Sequence, residues 1–149
     1  MLETVIFRSA GADEVIDLRH EVLRAGMERE AAVFASDTEP TTRHYVAELG
    51  GRVIGCVTLV QNPLGDRPAW QLRGMAVAPG HRGQGVGQRL LRLALGEVRN
   101  SPVRLTWCNA RTPAVAFYRK EGWRVVSEEF HIDGAGPHFR MLAPEGDGD

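Results

Sequence analysis

The segment GHRGQGVG, residues 80–87, places four glycines in eight positions, directly before the apolar run of a predicted helix. Glycine loses more backbone freedom on folding than any other residue, so such a cluster indicates a specific structural requirement. A loop between a strand and a helix presents the first helical N–H groups, which lack intrahelical partners and carry the positive end of the helix dipole. We therefore predict that this loop binds a phosphate-bearing ligand, with a charge-assisted contact from Arg82. A plain tight turn would need only one or two glycines.

The residue pattern around this loop predicts one mixed α/β sheet with helices packed on it. Helices are predicted at 12–26, 86–100 and 112–122, the last with Thr112 as its N-cap. Strands are predicted at 4–8, on both sides of a hairpin turn at Gly50-Gly51, at 69–79, at 103–108, and in the closing runs WRVVSEEFHI and HFRMLA. Residues 27–44 show no clear period and are predicted to be loop or short helix. Because strand, helix and strand follow one another from Trp70 to Cys108, we expect a parallel strand pair there.

The composition is that of an ordinary globular domain, with 149 residues, 43% of them hydrophobic and 25% charged. A net charge of −1 leaves no basic field for a phosphate backbone, so nucleic acid is not expected as a partner. Cys56 and Cys108 are far apart and form no CxxC pair, which argues against a zinc site or a disulfide framework and is compatible with a reducing cytosol. The five histidines show no metal-ligand spacing, and no metal is expected.

The ends of the sequence and its apolar runs bear on location. The stretch MLETVIFRSA lacks the basic start and the long apolar core of a signal peptide. No apolar run approaches the ~18 residues that a membrane span requires. We therefore expect a cytoplasmic protein without membrane association, with a single domain over residues 1–143 and a flexible acidic tail over 144–149.

Three known glycine-loop patterns were compared with residues 80–87. A Walker P-loop requires Lys and then Ser or Thr after its last glycine, whereas Gly87 is followed by Gln and Arg. A dinucleotide-binding G-x-G-x-x-G pattern fits neither from Gly83 nor from Gly85, and the segment LTWCN, roughly 20 residues farther on, offers no ribose-binding acid. The pattern that fits is R-x-x-G-x-G, formed by Arg82, Gly85 and Gly87 after the strand LRGMAV.

With this pattern the chain resembles the GCN5-related N-acetyltransferase (GNAT) family. MAVAPGHRGQGVGQRLL is similar to the family's acetyl-CoA motif, and NARTPAVAFYRKEGW is similar to its later N…A-x-x-F-Y-x-K-x-G-F block. The ending EEFHIDGAGPHFRM is a weaker match to one branch of small bacterial members, in which Ala135 is a departure. The resemblance implies a central mixed sheet with flanking helices and a splayed parallel strand pair that holds the cofactor. It also implies an acetyl-CoA-dependent N-acetyltransferase that moves an acetyl group directly to a primary amine of a small molecule or peptide.

The resemblance assigns cofactor contacts to two parts of the chain. The loop would hold the pyrophosphate of coenzyme A, and the backbone of residues 75–77 would pair with its pantetheine, where an N–H could polarise the thioester carbonyl. Asn109 would hydrogen-bond the cofactor from the end of its strand, with a turn-forming residue as the alternative, and Phe117 would pack on the pantetheine or in the core. The implied cofactor-binding residues are Met75, Ala76, Val77, Arg82, Gly83, Gln84, Gly85, Val86, Gly87, Gln88, Asn109 and Phe117.

The resemblance also implies that Tyr118 is the general acid that protonates the sulfur of coenzyme A. A phenol with an unperturbed pKa of about 10 stays protonated at neutral pH and can donate a proton. Its alternative is a core aromatic beside Phe117 on an amphipathic helix. Cys108 is interpreted as a small buried hydrophobe of a strand rather than as a nucleophile.

The general base stays open at this stage, because family members use different groups, often through water. Successive strand residues face opposite sides, so only one of Glu128 and Glu129 can face the cleft from a regular strand. Each candidate has a solvated surface position as its alternative. The candidates are Glu128, Glu129, Asp37, His44 and His138.

The acceptor is also open, with an antibiotic, a polyamine, an amino acid, a peptide N-terminus and a protein lysine as alternatives. Arg19 and Arg73 are candidates for contacting an anionic substrate group, with ordinary surface positions as their alternative. Acyl groups other than acetyl and a homodimer are both compatible with the family. The alternative function, from a different class, is a module of the same fold that binds or senses acyl-CoA without turnover.

Overall fold

The computed structural model describes residues 4–145, so the first three residues and residues 146–149 of the predicted tail lie outside the described part. The hydrogen-bonded strand order is β1-β2-β3-β4-β5-β8-β6, with β7 also paired to β8. This mixed sheet with its parallel β4–β5 pair confirms the predicted fold class. The elements are β1 Ile6–Ala10, α1 Ile16–Leu23, β2 Arg43–Leu49, β3 Arg52–Gln61, β4 Trp70–Val77, α2 Val86–Arg99, β5 Thr106–Arg111, α3 Val115–Lys120, β6 Arg124–Val125, β7 Phe130–Ile132 and β8 Gly136–Leu142.

The chain forms two compact units, and β4 contributes to both. The first unit contains the residues up to Val60 together with Arg73–Glu97, and the second contains Gln61–Leu72 together with the residues from Val98 onward. No helix within residues 4–145 combines the length and the apolar character that crossing a bilayer requires.

In the first unit, β1 and β3 flank β2 in antiparallel pairs. The predicted hairpin is confirmed, with φ values of 58° and 78° at Gly50 and Gly51, the left-handed region that a two-residue turn requires. The apolar face of α2 packs against β3 at Gly55, where a Cβ atom would lie 2.8 Å from the side chains of Leu90 and Val86. This close approach fixes the helix whose N-terminus follows the glycine loop.

In the second unit, Trp70–Leu72 of β4 pair in parallel with Thr106–Cys108 of β5, which confirms the expected parallel pair. The strand predicted at 103–108 begins three residues later and continues to Arg111. At the predicted start, the backbone of Val103 is hydrogen-bonded to side chains. Its carbonyl accepts a hydrogen bond from Trp70 Nε1 at 3.0 Å, and its N–H donates to Ser101 Oγ at 3.2 Å. At Val103, hydrogen bonds with side chains therefore replace the backbone hydrogen bonds of a sheet.

The closing segment also differs from its prediction as two strands. The run WRVVSEEFHI is divided into β6 and β7, both paired with β8. Between them Ser127 Oγ accepts a hydrogen bond from the Arg140 N–H of β8 at 2.8 Å, in place of a backbone carbonyl. Glu128 and Glu129 lie in this interruption and are exposed, so the prediction that they belong to a regular strand is wrong.

Smaller differences occur at element ends. The first strand is shifted to Ile6–Ala10, and the first helix is divided into the 3-10 turn Ala12–Glu14 and α1. Residues 27–44 contain two 3-10 turns, at 29–32 and 35–38, before β2 begins. The prediction of Thr112 as an N-cap is wrong, because its hydroxyl donates to Glu129 Oε2 at 2.8 Å and caps no backbone group.

Candidate active site

The glycine loop joins the end of β4 to the start of α2 within the first unit. After Val77, the Ala78 N–H donates to the Ile54 carbonyl at 2.8 Å, which anchors the entry to the loop on β3. The first helical hydrogen bond runs from the Arg89 N–H to the Gly85 carbonyl at 3.0 Å. The N–H groups of residues 86–88 therefore precede the helical ladder, at the positive end of the α2 dipole, as predicted.

The loop glycines adopt backbone conformations that disfavour other residues. Gly83 and Gly85 have φ values of 77° and 81°, in the left-handed region. A Cβ atom at Gly83 would meet nothing within 4 Å, and one at Gly85 would meet only Gln88 Oε1 at 4.0 Å. The space beside the loop is therefore open, and exposed Arg82 lies next to it. A helix start, an open face beside the loop and a cation together fit the phosphate groups of coenzyme A.

The stretch predicted to pair with pantetheine, Met75–Val77, lies beyond a break in β4. The parallel register with β5 covers Trp70–Leu72. Gly74, between that register and Met75, has a φ of 64° and thus interrupts the regular extended strand. Its carbonyl accepts a weak hydrogen bond from the Cys56 thiol at 3.5 Å.

Tyr118 lies on α3 in the second unit and is 5% exposed. Its ring contacts Phe117 edge-on at a centroid distance of 5.1 Å and Trp123 at 5.2 Å. Burial, and after it the charge of the Cys108 thiolate form, raises the pKa of Tyr118 well above 10. The phenol is therefore protonated throughout the physiological range and has a proton to donate. The same burial places it among core aromatics, so both predicted roles of Tyr118 are compatible with its surroundings.

Asn109 lies inside β5 rather than at a strand end, because β5 continues to Arg111. It is paired across the sheet with Arg140 of β8, whose Nε donates to Asn109 Oδ1 at 3.5 Å. The Arg140 guanidinium also lies over the Trp107 ring, 4.8 Å from its centroid. The predicted end-of-strand position of Asn109 is thus corrected, while its amide group is half-buried and accessible.

Two of the candidate bases belong to a buried polar network in the first unit, formed by Arg19, Asp37, His44 and Thr58 and called here the Arg19 cluster. Arg19 and Asp37 form a two-armed ion pair at 2.7 and 3.0 Å, and the side chains are 0% and 2% exposed. Arg19 also donates to Thr58 Oγ1 at 2.7 Å, and to the carbonyl of Ala32 at 3.0 Å. Arg19 is therefore not a surface arginine, and its charge is compensated inside the fold.

The cluster leaves neither Asp37 nor His44 well suited to act as a base. Burial alone would raise the pKa of Asp37, but hydrogen bonds from Arg19 and the Phe34 N–H outweigh it and hold the pKa below its ordinary value. Both ring nitrogens of His44 are engaged, Nδ1 with Thr58 Oγ1 at 2.8 Å and Nε2 with the Asp37 carbonyl at 2.9 Å. These groups hold the turn 35–38 against β2 and β3.

The sequence contained a signal for this cluster. Arg19 is at the i+4 position from Val15 and one residue after Leu18, both buried, so it occupies the apolar stripe of α1. A charged residue in an apolar stripe requires a buried counter-ion, which Asp37 supplies. The identity of the acid that pairs with Arg19 depends on the tertiary fold of residues 27–44, where the apolar residues show no periodic spacing.

His138 has a different environment among the candidate bases. It is 5% exposed, and its Nδ1 donates to the Gly136 carbonyl at 2.8 Å. Because a carbonyl only accepts, the proton of the neutral ring is on Nδ1 and the lone pair is on Nε2. The ring stacks on Phe130 at a centroid distance of 6.1 Å. Nε2 of His138 is therefore chemically suited to accept a proton.

The two cysteines are both buried and free. Burial raises the pKa of the Cys56 and Cys108 thiols to about 12. Thiols of this kind are almost entirely protonated at neutral pH, and the thiolate is the nucleophilic form. The interpretation of Cys108 as a small hydrophobe of a strand fits this environment.

Comparison with known proteins gives a family-level match. A family model described as Acetyltransferase (GNAT) family matches residues 12–123. The uncharacterized N-acetyltransferase YitI of Bacillus subtilis (strain 168) is 30% identical over 137 residues, covering 90% of this chain and 92% of the relative.

Solved structures share the fold at lower identity. Escherichia coli ElaA matches with a TM-score of 0.79 at 18% identity, covering 95% of this chain and 100% of that chain. An aminoglycoside 6'-N-acetyltransferase complexed with coenzyme A matches with a TM-score of 0.76 at 16% identity, covering 95% and 99%. At these identities the likeness concerns the fold.

Proposed function

This chain belongs to the acetyltransferase (GNAT) family and is an N-acetyltransferase, and we propose that it moves an acetyl group from acetyl-CoA directly to a primary amine of a small molecule or peptide. The observation that carries the proposal is the glycine loop, with left-handed Gly83 and Gly85 directly before the start of α2. The open face beside this loop is suited to a pyrophosphate group.

The residues proposed to hold the cofactor are those of the loop and of the second half of β4. The N–H groups of residues 82–88 would bind the pyrophosphate, and Arg82 would add a charge-assisted contact. The backbone of Met75–Val77, beyond the break at Gly74, would pair with the pantetheine amides. Asn109 and Phe117 are proposed to contact the cofactor from β5 and α3. When bound, acetyl-CoA supplies the acetyl group as an activated thioester.

Proton movements are assigned to two residues of the second unit. Tyr118, protonated at all physiological pH values, would donate its proton to the departing thiolate. His138, with the lone pair on Nε2, is proposed to take the proton that the amine loses, directly or through water. Direct transfer is favoured over an acetylated cysteine, because the Cys56 and Cys108 thiols have pKa values of about 12.

The loop assignment is tested by replacing Gly85 with Val and measuring coenzyme A binding by calorimetry. A Val side chain would force the left-handed backbone of Gly85 to change and would occupy the open face of the loop. We expect binding to weaken by at least about tenfold, the equivalent of roughly 1.4 kcal/mol.

The matched control is Gly65→Val, since Gly65 also has a left-handed φ, of 62°, and a Cβ there would meet nothing within 4 Å. Both variants place a β-branched side chain on a left-handed backbone, but Gly65 lies outside the loop. Coenzyme A binding by the Gly65 variant should equal that of the parent. A folded Gly85 variant that binds coenzyme A as tightly as the parent would show that the loop is not the pyrophosphate site.

A further inference from the structure

The second half of β4 carries a half-buried arginine, Arg73, that has no carboxylate partner among the described residues. Its guanidinium carbon lies 4.3 Å from the centroid of the Phe34 ring. The Arg19 guanidinium lies 4.0 Å from the same centroid. The Arg24 guanidinium lies 5.7 Å from this centroid as well, so three arginines surround Phe34. Arg19 has its counter-ion in Asp37, whereas no carboxylate is paired with Arg73 in the described part of the chain.

The charge around Arg73 is unbalanced toward the positive. Both carboxylate oxygens of Asp37 are bound to Arg19, so this acid is not available to a second guanidinium. Burial is the main cause that lowers the pKa of Arg73, and the charges of Arg19 and Arg24 act in the same direction, while the charge of Asp37 opposes them. An anion beside Arg73 would relieve this imbalance.

The support behind Arg73 is rigid. Arg19 is fully buried and is held through its terminal nitrogens by Asp37, Thr58 and the Ala32 carbonyl. Gly74 permits this packing, because a Cβ atom there would lie 2.8 Å from Arg19 Nε. A guanidinium that rests on a fixed aromatic ring loses little additional freedom when it binds a ligand, unlike a solvated surface arginine.

From this arrangement we infer that Arg73, supported by Phe34, binds a carboxylate of the acceptor, so that the acceptor is an amine that also carries a carboxylate, such as an amino acid. The planar guanidinium fork matches a carboxylate through two parallel N–H···O bonds. Arg73 precedes Met75 by two residues, so their Cα atoms are at most about 7 Å apart, which is a distance that a small amino acid spans. This inference rests on the proposed function, which assigns Met75–Val77 to the cofactor.

The same charge disfavours other acceptors. Polyamines and aminoglycosides carry several positive charges, and each would be repelled by an uncompensated Arg73. A phosphate-bearing amine shares the anionic chemistry but has tetrahedral oxygens and more charge. The two anionic classes are separated by experiment.

The first experiment measures amine-dependent release of coenzyme A thiol with matched acceptors. The probes are α-amino acids and straight-chain ω-amino acids of two to six carbons, each compared with its carboxamide, its phosphonate analogue and the corresponding diamine. We expect kcat/KM for the best acid to exceed that for its carboxamide and its diamine by about 10- to 100-fold, the usual effect of a hydrogen bond to a charged group.

The variant Arg73→Gln should lower kcat/KM for the acid by about the same 10- to 100-fold, mainly through KM, and should leave the carboxamide unchanged. Arg73→Lys should restore part of the preference, since it returns the charge without the fork. The matched control Arg52→Gln removes a charge from an exposed position at the start of β3 and should leave both acceptors unchanged. Equal use of acid and carboxamide, or preference for the phosphonate or the diamine, would overturn the inference.

A second measurement is independent of turnover. N-acetyl forms of the same amino acids, which retain the carboxylate, are titrated calorimetrically into the protein loaded with coenzyme A. We expect binding that weakens about tenfold or more in Arg73→Gln, while coenzyme A affinity is unchanged. Equal binding to both proteins would refute the carboxylate site even if acyl transfer is observed. Arg73-dependent binding without turnover of any amine would support the site and contradict the proposed acyl transfer.

Discussion

Tyr118 combines two properties that proton donation to a thiolate requires: a hydroxyl that stays protonated and a ring that is fixed. Its pKa is raised well above 10 by burial, and its ring is held by Phe117 and Trp123. A phenol with a high pKa is a weak acid, but the thiolate that it would protonate is formed only during acyl transfer. Tyr118 is thus suited to act late in the reaction and to leave the ground state unchanged.

Replacing Tyr118 with Phe removes one hydroxyl and retains the packed ring. We expect affinity for coenzyme A to be unchanged and kcat to fall by about 100-fold, the lower part of the range for general acid catalysis. The loss should shrink with an acyl donor whose leaving group is more acidic than a thiol, because that group needs less protonation. Stopped-flow or steady-state thiol release with a working acceptor measures both effects.

The only other tyrosine, Tyr45, provides the control. It is buried on β2 in the first unit, and Tyr45→Phe should retain full turnover. If Tyr118→Phe keeps the parent kcat while the chemical step limits the rate, Tyr118 is a core aromatic and the proton comes from water or from another group.

At the scale of elements, the Arg19 cluster joins α1 to the turn 35–38 and to β2 and β3. Its stabilising effect depends on ionised Asp37. Because the folded-state pKa of Asp37 is below its unfolded value of about 3.9, the contribution is complete above that value and is lost as the pH falls through the folded pKa. The structure therefore predicts acid sensitivity that originates at this junction.

Replacing Asp37 with Asn would leave the buried Arg19 charge without its partner. We expect a decrease of about 3 to 5 kcal/mol in the free energy of unfolding at pH 7. The difference from the parent should shrink in increasingly acidic buffer, where Asp37 of the parent becomes protonated too. Urea unfolding at neutral and acidic pH measures this difference.

Asp17→Asn is the comparison for that experiment. Asp17 forms an ion pair with Arg29 at 2.7 Å, but the two side chains are 87% and 54% exposed, so its loss should have little effect on stability. An Asp37→Asn variant that is as stable as the parent at pH 7 would contradict the structural role of the cluster. So would a difference in the free energy of unfolding that does not depend on pH.

The sequence correctly predicted those elements that are determined by neighbouring residues, through glycines in turns or through the periodic spacing of apolar residues. The Gly50-Gly51 hairpin and the start of α2 after the glycine loop depend on residues adjacent in the chain, and both are confirmed. The start of β5 and the break between β6 and β7 depend on Trp70 and on Ser127, whose hydrogen bonds join distant segments. Such contacts are set by the tertiary fold and leave no periodic signal.

The candidate site likewise contains residues that local motifs predict and residues that only the tertiary fold brings together. Loop residues 82–88 and Tyr118 belong to two short motifs that can be identified in the sequence alone. The pairing of Arg19 with Asp37, and the position of Phe34 beside Arg73, arise from the fold of residues 27–44, where no period is present. The residues that we propose to select the acceptor are therefore those that the sequence predicted least well.

At the scale of the whole molecule, the proposed function is acyl transfer and not only the binding of acyl-CoA. Membership in the acetyltransferase family and the sequence similarity to YitI support an enzyme, and solved structures share its fold. The buried thiols of Cys56 and Cys108 support a reaction in which both substrates are bound together. A non-catalytic acyl-CoA module would share the loop and lack the transfer step.

The most direct test follows thiol release from acetyl-CoA with and without a panel of primary amines, with mass spectrometry of both product and protein. The expected result, if the proposed function is correct, is amine-dependent release of coenzyme A, one N-acetylated product per thiol released, and no acetyl adduct on Cys56 or Cys108 when acetyl-CoA is supplied alone. Tight binding of coenzyme A without amine-dependent release, across amino acids, polyamines, aminoglycosides and peptides, would contradict it. A stoichiometric acetyl-cysteine adduct that disappears when an amine is added would contradict direct transfer.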